Sequence, residues 1–114
     1  MKLPAKTKAK WLKALRSGEY KQGAGTLYDP KTASFCCLGV LQHCTSRGCV
    51  EATTIGDFYH AIPSREFYID IGAVDFYGND MVLADMNDGN NLRYPKRLGF
   101  KQIAKWIEKN VEAI

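Results

Sequence analysis

Residues 16–22 gather side chains that suit a phosphate-bearing, nucleotide-type ligand. Arg16 and Lys21 predict phosphate contacts, because a guanidinium binds two phosphate oxygens at once and an ammonium adds charge. Tyr20 offers a ring for stacking on a base, and Gln22 offers an amide for reading a base or sugar edge. The alternative is ordinary structure, in which the cations are solvated, Tyr20 packs under a hairpin and Gln22 caps a turn.

Asn87 and Asp88 are typical either of a ligand contact or of a turn. Residues 85–89 resemble the opening of a calcium-binding loop, in which alternate oxygen ligands precede a glycine. The glycine comes one position early, however, and Lys96 stands where the bidentate glutamate belongs. We predict that Asn87 and Asp88 contact a ribose hydroxyl, with magnesium binding and an ordinary Asn-Asp-Gly turn as alternatives.

The cysteines and histidines do not form a pattern typical of a metal site or a catalytic nucleophile. Zinc sites use C-x2-C half-sites, whereas Cys36 and Cys37 are adjacent and their side chains diverge. Both lie in the most apolar run of the chain, which is the opposite of the electropositive setting that activates a thiol. We therefore expect no metal, no cofactor and no enzymatic activity. The residues considered for these roles are Cys36, Cys37, Cys44, Cys49, His43 and His60.

An α+β domain with a helix at each end must position these residues. Apolar spacing predicts a first helix over Ala5–Arg16 and a last amphipathic helix that begins at Phe100. We expect both helices to pack on a small, mainly antiparallel sheet and on a buried Cys-rich helix in which Gly39 permits close approach of a neighbour. The other predicted elements are a hairpin (26–28 with 33–35), the Cys-rich helix (35–44), a loop (50–63), a half-buried strand (67–77) and a short helix (81–86).

Composition bounds the domain organisation and the location. At 114 residues, with 46% hydrophobic and 25% charged residues, the chain predicts one domain over residues 1–114. It contains no run of about 18–20 apolar residues, the length that a membrane-spanning helix needs. Residues 1–10 hold four lysines without the apolar core of a signal peptide. We expect the protein in the cytoplasm, with reduced thiols and no membrane partner.

The formal net charge of +4 conceals three blocks of alternating sign. Residues 1–50 carry a net charge of +7, residues 51–89 carry −7, and residues 90–114 carry +4. Blocks of this kind pair within the fold, present a basic face to a polyanion, or meet between copies in a homo-oligomer. The sequence leaves these three alternatives open.

Four sequence blocks resemble a widespread family of small, mostly hypothetical bacteriophage proteins. The blocks are ALRSGEYKQG at 14–23, FCCLGVL at 35–41, MND at 86–88 and FKQIAKWIE at 100–108. The chain departs from the family pattern in Met86, where a leucine is common, and in an insertion at 90–98 that carries Arg93, Lys96 and Arg97. The resemblance implies a phage accessory protein that acts in the host bacterial cytoplasm and counters host immunity.

Two functions follow as hypotheses. In the first, the protein is an anti-defence sponge that binds and sequesters a nucleotide-derived bacterial immune signal without cleaving it. In the second, it is a phage inhibitor that binds nucleic acid or a host protein through its basic surface. The residues expected to bind the ligand are Arg16, Tyr20, Lys21, Gln22, Asn87 and Asp88.

Overall fold

Five helices carry most of the buried side chains in the computed structural model, which describes residues 1–45 and 62–114. They are α1 (Ala5–Arg16), α2 (Cys37–Cys44), α3 (Arg65–Asp70), α4 (Asp80–Asp88) and α5 (Phe100–Asn110). The helices expected at the two ends, in the Cys-rich run and near residues 81–86 are confirmed. Most of the loop expected over 50–63 lies outside the described residues.

Five short strands complete the described part of the chain. They are β1 (Lys2–Leu3), β2 (Lys21–Gln22), β3 (Tyr28–Asp29), β4 (Ser34–Phe35) and β5 (Glu112–Ala113). The antiparallel β3–β4 pair confirms the expected hairpin, but β2 pairs parallel with β4 and β1 pairs parallel with β5. The sheets are therefore mixed rather than mainly antiparallel, because only β3 and β4 are close enough along the chain to be joined by a tight turn.

The predicted strand over 67–77 is wrong, because the first part of this stretch is helix α3. The Ser64 hydroxyl caps the helix by accepting a hydrogen bond from the Phe67 backbone N–H at 3.2 Å. Phe67 and Ile71, four residues apart, are buried on one side of the turn, whereas Ile69 is 63% exposed. Alternating apolar residues had placed Ile69 on the same face as Phe67, but a helix turns it outward.

The pairing of β1 with β5 sets the direction of the terminal helices. β1 precedes α1 and β5 follows α5, so the start of α1 lies beside the end of α5 and the two helices run antiparallel. The same two helices make the largest helix–helix contact among the described elements. A layer of two neighbouring helices from opposite ends of the chain is the result.

The core lies between α1, α2, α4 and α5. Trp11 is fully buried, and its indole N–H donates to the Cys37 carbonyl at 2.9 Å, which ties α1 to α2. A side chain on Gly39 would overlap the carbonyl oxygen of Leu27, so the close approach expected at this glycine is confirmed. The α+β class is likewise confirmed in a compact arrangement. None of the helices over 1–45 and 62–114 is both long and apolar enough to cross a bilayer.

Candidate functional site

The side chain of Asn87 lies at the centre of a buried hydrogen-bond network. Its Oδ1 accepts from the Gln22 side chain at 3.0 Å and from the Cys37 backbone N–H at 3.1 Å. Its Nδ2 donates to the Gly23 carbonyl at 2.7 Å and to the Asp88 carboxylate at 3.0 Å. Asn87 is 0% exposed, and both ends of its amide are fully used.

Gln22 and Asp88 extend this network to two more segments. The Gln22 amide also donates to the Leu98 carbonyl at 2.8 Å, and the Asp88 carboxylate accepts from the Gly25 backbone N–H at 3.1 Å. We call the side chains of Gln22, Asn87 and Asp88 the polar hub. The hub joins β2, α2, α4 and the segment before α5, so Gln22 and Asn87 hold the fold together where a ligand reader and a ribose contact had been predicted.

The other three predicted site residues do not converge on the polar hub. The Arg16 guanidinium pairs with the Glu108 carboxylate at 3.3 Å on the neighbouring helix. The Tyr20 hydroxyl lies 2.6 Å from His43 Nδ1, and burial lowers the pKa of that imidazole. Lys21 is exposed. Of the six predicted residues, the structure thus brings together Gln22, Asn87 and Asp88, and it separates Arg16, Tyr20 and Lys21 from them.

A shallow cavity of about 460 Å³ lies at the β3–β4 hairpin. Tyr28 and Lys31 line it, and the Tyr28 ring packs on Phe35 with the ring centres 4.8 Å apart. Phe35 in turn meets the Tyr20 ring edge-on at 5.1 Å. An aromatic cluster with an ammonium at its edge therefore adjoins this cavity.

The thiols are placed as core residues. Cys36 and Cys37 are buried, and burial raises the pKa of Cys36 to about 12 and that of Cys37 well above its ordinary value. Thiols with raised pKa values are poor nucleophiles at neutral pH. Over residues 1–45 and 62–114, no group of three or more His, Cys, Asp or Glu side chains is arranged to hold a metal ion. Cys49 and His60 lie outside the described residues.

A second cavity, of about 320 Å³, lies beside α3, with Ile69 and Tyr77 in its wall. Tyr68 also lines it, and the Tyr68 hydroxyl and the Asp80 Oδ2 behind it are buried without a regular hydrogen bond in the described part of the chain. Desolvation raises the pKa of the Asp80 carboxyl. Tyr68 and Asp80 therefore carry buried polar atoms whose hydrogen bonding within the described residues is incomplete.

Six exposed lysines lie on the solvent side of the two terminal helices, and we call this surface the basic helix face. Three come from α1 and three from α5, and all project away from the buried positions of those helices. Because α1 and α5 pack against each other and bury their apolar stripes in one core, we place the outward positions of both helices on the same side of the layer. They are Lys6, Lys10, Lys13, Lys101, Lys105 and Lys109.

The basic helix face is internally repulsive. Successive lysines in each helix are three or four residues apart, and like charges at these spacings destabilise a helix by about 0.2–0.5 kcal/mol per pair. Neither helix has an acidic residue in its first turn, although the helix dipole favours one there. Within the described residues, none of the six lysines forms an ion pair. In the part of the chain that the structure describes, the acidic block at 51–89 therefore does not neutralise the basic helix face.

Comparison with known proteins gives one match. Residues 2–52 are similar to a family described as a domain of unknown function (DUF8296), and the match covers less than half of the 114 residues. It contains α1 and the hub residue Gln22, whereas α5, Asn87 and Asp88 lie beyond it. No curated protein and no solved structure shows significant similarity to the chain.

The second sequence-based hypothesis invoked a basic surface but did not name the six lysines of the basic helix face as site residues. The signal was present, because five of the 12 residues of α1 are basic and none is acidic. The lysines of the last helix also recur every four residues. The relation between the two sets was not visible, because it depends on the pairing of β1 with β5 across the whole length of the chain.

Proposed function

We propose that the protein is a non-catalytic binding protein that holds nucleic acid on the basic helix face. The observation that carries this proposal is the set of six exposed lysines on two neighbouring helices, without a carboxylate partner in the described residues. Their mutual repulsion lowers the stability of both helices, and a polyanion would remove it. Contacts between lysine and phosphate supply affinity and require no catalytic group.

The resemblance to small bacteriophage proteins supports a setting for this binding. A phage counter-defence protein in the host bacterial cytoplasm would use such a face to occupy nucleic acid that a host system must reach. A host protein with an acidic surface is the other partner that the same face would accept.

Charge reversal tests the proposal. Lys10→Glu and Lys105→Glu, one on each helix, should each weaken binding to a labelled nucleic acid roughly tenfold at low salt, because each variant loses a phosphate contact and adds repulsion. Arg65→Glu is the matched control, since it makes the same charge change on α3 and should leave the affinity unchanged. Equal weakening by all three variants, measured by fluorescence anisotropy, would contradict a localised site.

A second candidate function is the sequestration of a nucleotide-derived bacterial immune signal. The observation in its favour is the cavity at the hairpin, where Tyr28 offers a ring and Lys31 an ammonium. The aromatic cluster that includes Tyr20 lies next to it, and the exposed Lys21 follows Tyr20 in the chain. These groups supply stacking and phosphate contacts, whereas the polar hub is already occupied by its own hydrogen bonds.

Calorimetry with cyclic oligonucleotides and ADP-ribose derivatives separates the two functions. Sequestration predicts saturable binding that Tyr28→Ala and Lys31→Ala weaken and that Lys105→Glu leaves unchanged. Mass spectrometry of the ligand after incubation should return an unaltered mass, because a sponge binds its ligand without cleaving it. Absence of heat across the panel, with a folded sample, would eliminate this candidate.

A further inference from the structure

The basic helix face consists of two lysine rows that lie side by side. The seam between them is marked by Glu108, whose carbonyl accepts from the Lys8 ammonium at 3.1 Å and whose carboxylate pairs with Arg16. Each row spans about 10–12 Å, given a helical rise of about 1.5 Å per residue. Packed helix axes lie about 8–10 Å apart, which sets the separation of the two helices that carry the rows.

The side chains of α5 that are suited to contacting bases either project away from the lysines or hydrogen-bond within the helix. Trp106 is half-buried and projects about 100° around α5 from Lys105. The Gln102 side chain accepts from the Gly99 backbone N–H at the start of α5, and the Asn110 amide donates to the Trp106 carbonyl. The face therefore offers ammonium groups for phosphates, without an exposed ring for stacking in the described residues.

We infer that the basic helix face binds double-stranded nucleic acid along both of its backbones and without sequence readout, an inference that rests on the proposed function. A duplex presents two rows of phosphates and about one charge per 1.7 Å of its axis, twice the density of one strand. Two lysine rows match two phosphate rows. A single strand would engage one row, and it would lack the aromatic stacking on which single-strand binding depends.

Salt titration distinguishes the duplex from the single strand. The measurement is the anisotropy of a labelled duplex of about 20 base pairs, of a duplex of shuffled sequence and of one separated strand. The logarithm of the duplex association constant should fall with the logarithm of salt concentration with a slope of about −5 if all six lysines contact phosphate. The single strand should give a slope of about −2, and shuffling should change the affinity less than about twofold.

Row-specific variants complete the experiment. Lys6→Gln with Lys13→Gln removes charge from one row, Lys101→Gln with Lys109→Gln removes it from the other, and each pair should reduce the duplex slope by about 2. Arg65→Gln with Arg93→Gln is the matched control and should leave the slope unchanged.

Three results would overturn the inference. They are equal slopes for duplex and single strand, an effect confined to one lysine row, and a strong dependence on sequence. In each of these cases nucleic-acid binding itself would stand. Failure to bind either form at low salt would instead contradict the proposed function.

Discussion

The polar hub and the basic helix face use their polar side chains in opposite ways. In the hub, Asn87 is fully buried and every polar atom of its amide has a partner. On the face, six lysines are exposed and repel one another. A buried amide group without partners costs free energy, so the hub must be complete for the chain to fold. An exposed ammonium group is hydrated, so the face can remain unpaired until a ligand arrives.

The comparison predicts that the hub governs stability. Asn87→Ala should lower the free energy of unfolding by about 3 kcal/mol, because it leaves the Cys37 N–H and the Gly23 carbonyl without a buried partner and removes one of the two hydrogen bonds of the Gln22 amide. Urea unfolding followed by circular dichroism measures the change. Asn110→Ala, which removes an exposed amide, should stay within about 0.5 kcal/mol of the wild type. A small effect of Asn87→Ala would show that water replaces its bonds.

Gln22→Ala tests the edge of the same hub. The substitution removes the bonds from the Gln22 amide to Asn87 and to the Leu98 carbonyl, and it should cost about 1–2 kcal/mol. Nucleic-acid binding should remain at the wild-type level in the folded protein, because Gln22 lies outside the basic helix face. Weakened binding at undiminished stability would return Gln22 to the ligand site.

Asp80 offers a buried polar group that is less well satisfied than Asn87. Because burial raises its folded-state pKa above the ordinary 3.8, the folded protein keeps a proton that the unfolded chain releases just above that pH. The free energy of unfolding should therefore fall as the pH rises from about 3.8 through the raised pKa of folded Asp80, and it should stay lower above that range. Asp80→Asn should stabilise the protein by about 1 kcal/mol at pH 7.

This advantage of Asp80→Asn should vanish below the ordinary Asp pKa, where the wild-type carboxyl is neutral in both states. Denaturant unfolding at a series of pH values measures it. Destabilisation at pH 7 would show that the Asp80 charge has a partner that offsets its desolvation.

The basic helix face should show the smallest effect on stability. This effect should be opposite in sign to that of the polar-hub variants. Lys10→Gln and Lys105→Gln should each raise the free energy of unfolding by up to about 0.5 kcal/mol without ligand, because each removes like-charge neighbours. The same variants should bind nucleic acid more weakly. Arg65→Gln, outside the two terminal helices, serves as the control. A loss of stability in the lysine variants would mean that these side chains stabilise the fold through their methylene groups.

The accuracy of the sequence-based predictions followed the range of the interactions involved. Apolar spacing located α1 and α5, because such spacing is a local pattern. The turn residues Asp29 and Pro30, which lie between the two predicted strands, likewise located the β3–β4 hairpin. The stretch at 67–77 was misassigned because alternation and helical spacing overlap in a short apolar run, and the cap at Ser64 decided between them. The parallel partners of β1 and β2 depend on distant residues, so no local pattern indicated them.

For the candidate site, residue type alone was ambiguous. Asn87 and Asp88 have the chemistry of a ribose contact and also that of a buried connector. Gln22 lies more than 60 residues away in the chain, so only folding could show that it hydrogen-bonds to Asn87. Arg16 was selected as a phosphate contact, yet its position at the helix seam brings it to Glu108.

The sequence by itself determined the helices at both ends, the α+β class and the positions of the lysines, because each depends on residues within a few turns of one another. Only the tertiary structure decided that the two sets of lysines share one face and that Asn87 is sealed inside the protein. Both outcomes arise from long-range pairing, β1 with β5 and β2 with α4. Such contacts are set by the packing of the whole core rather than by any local pattern.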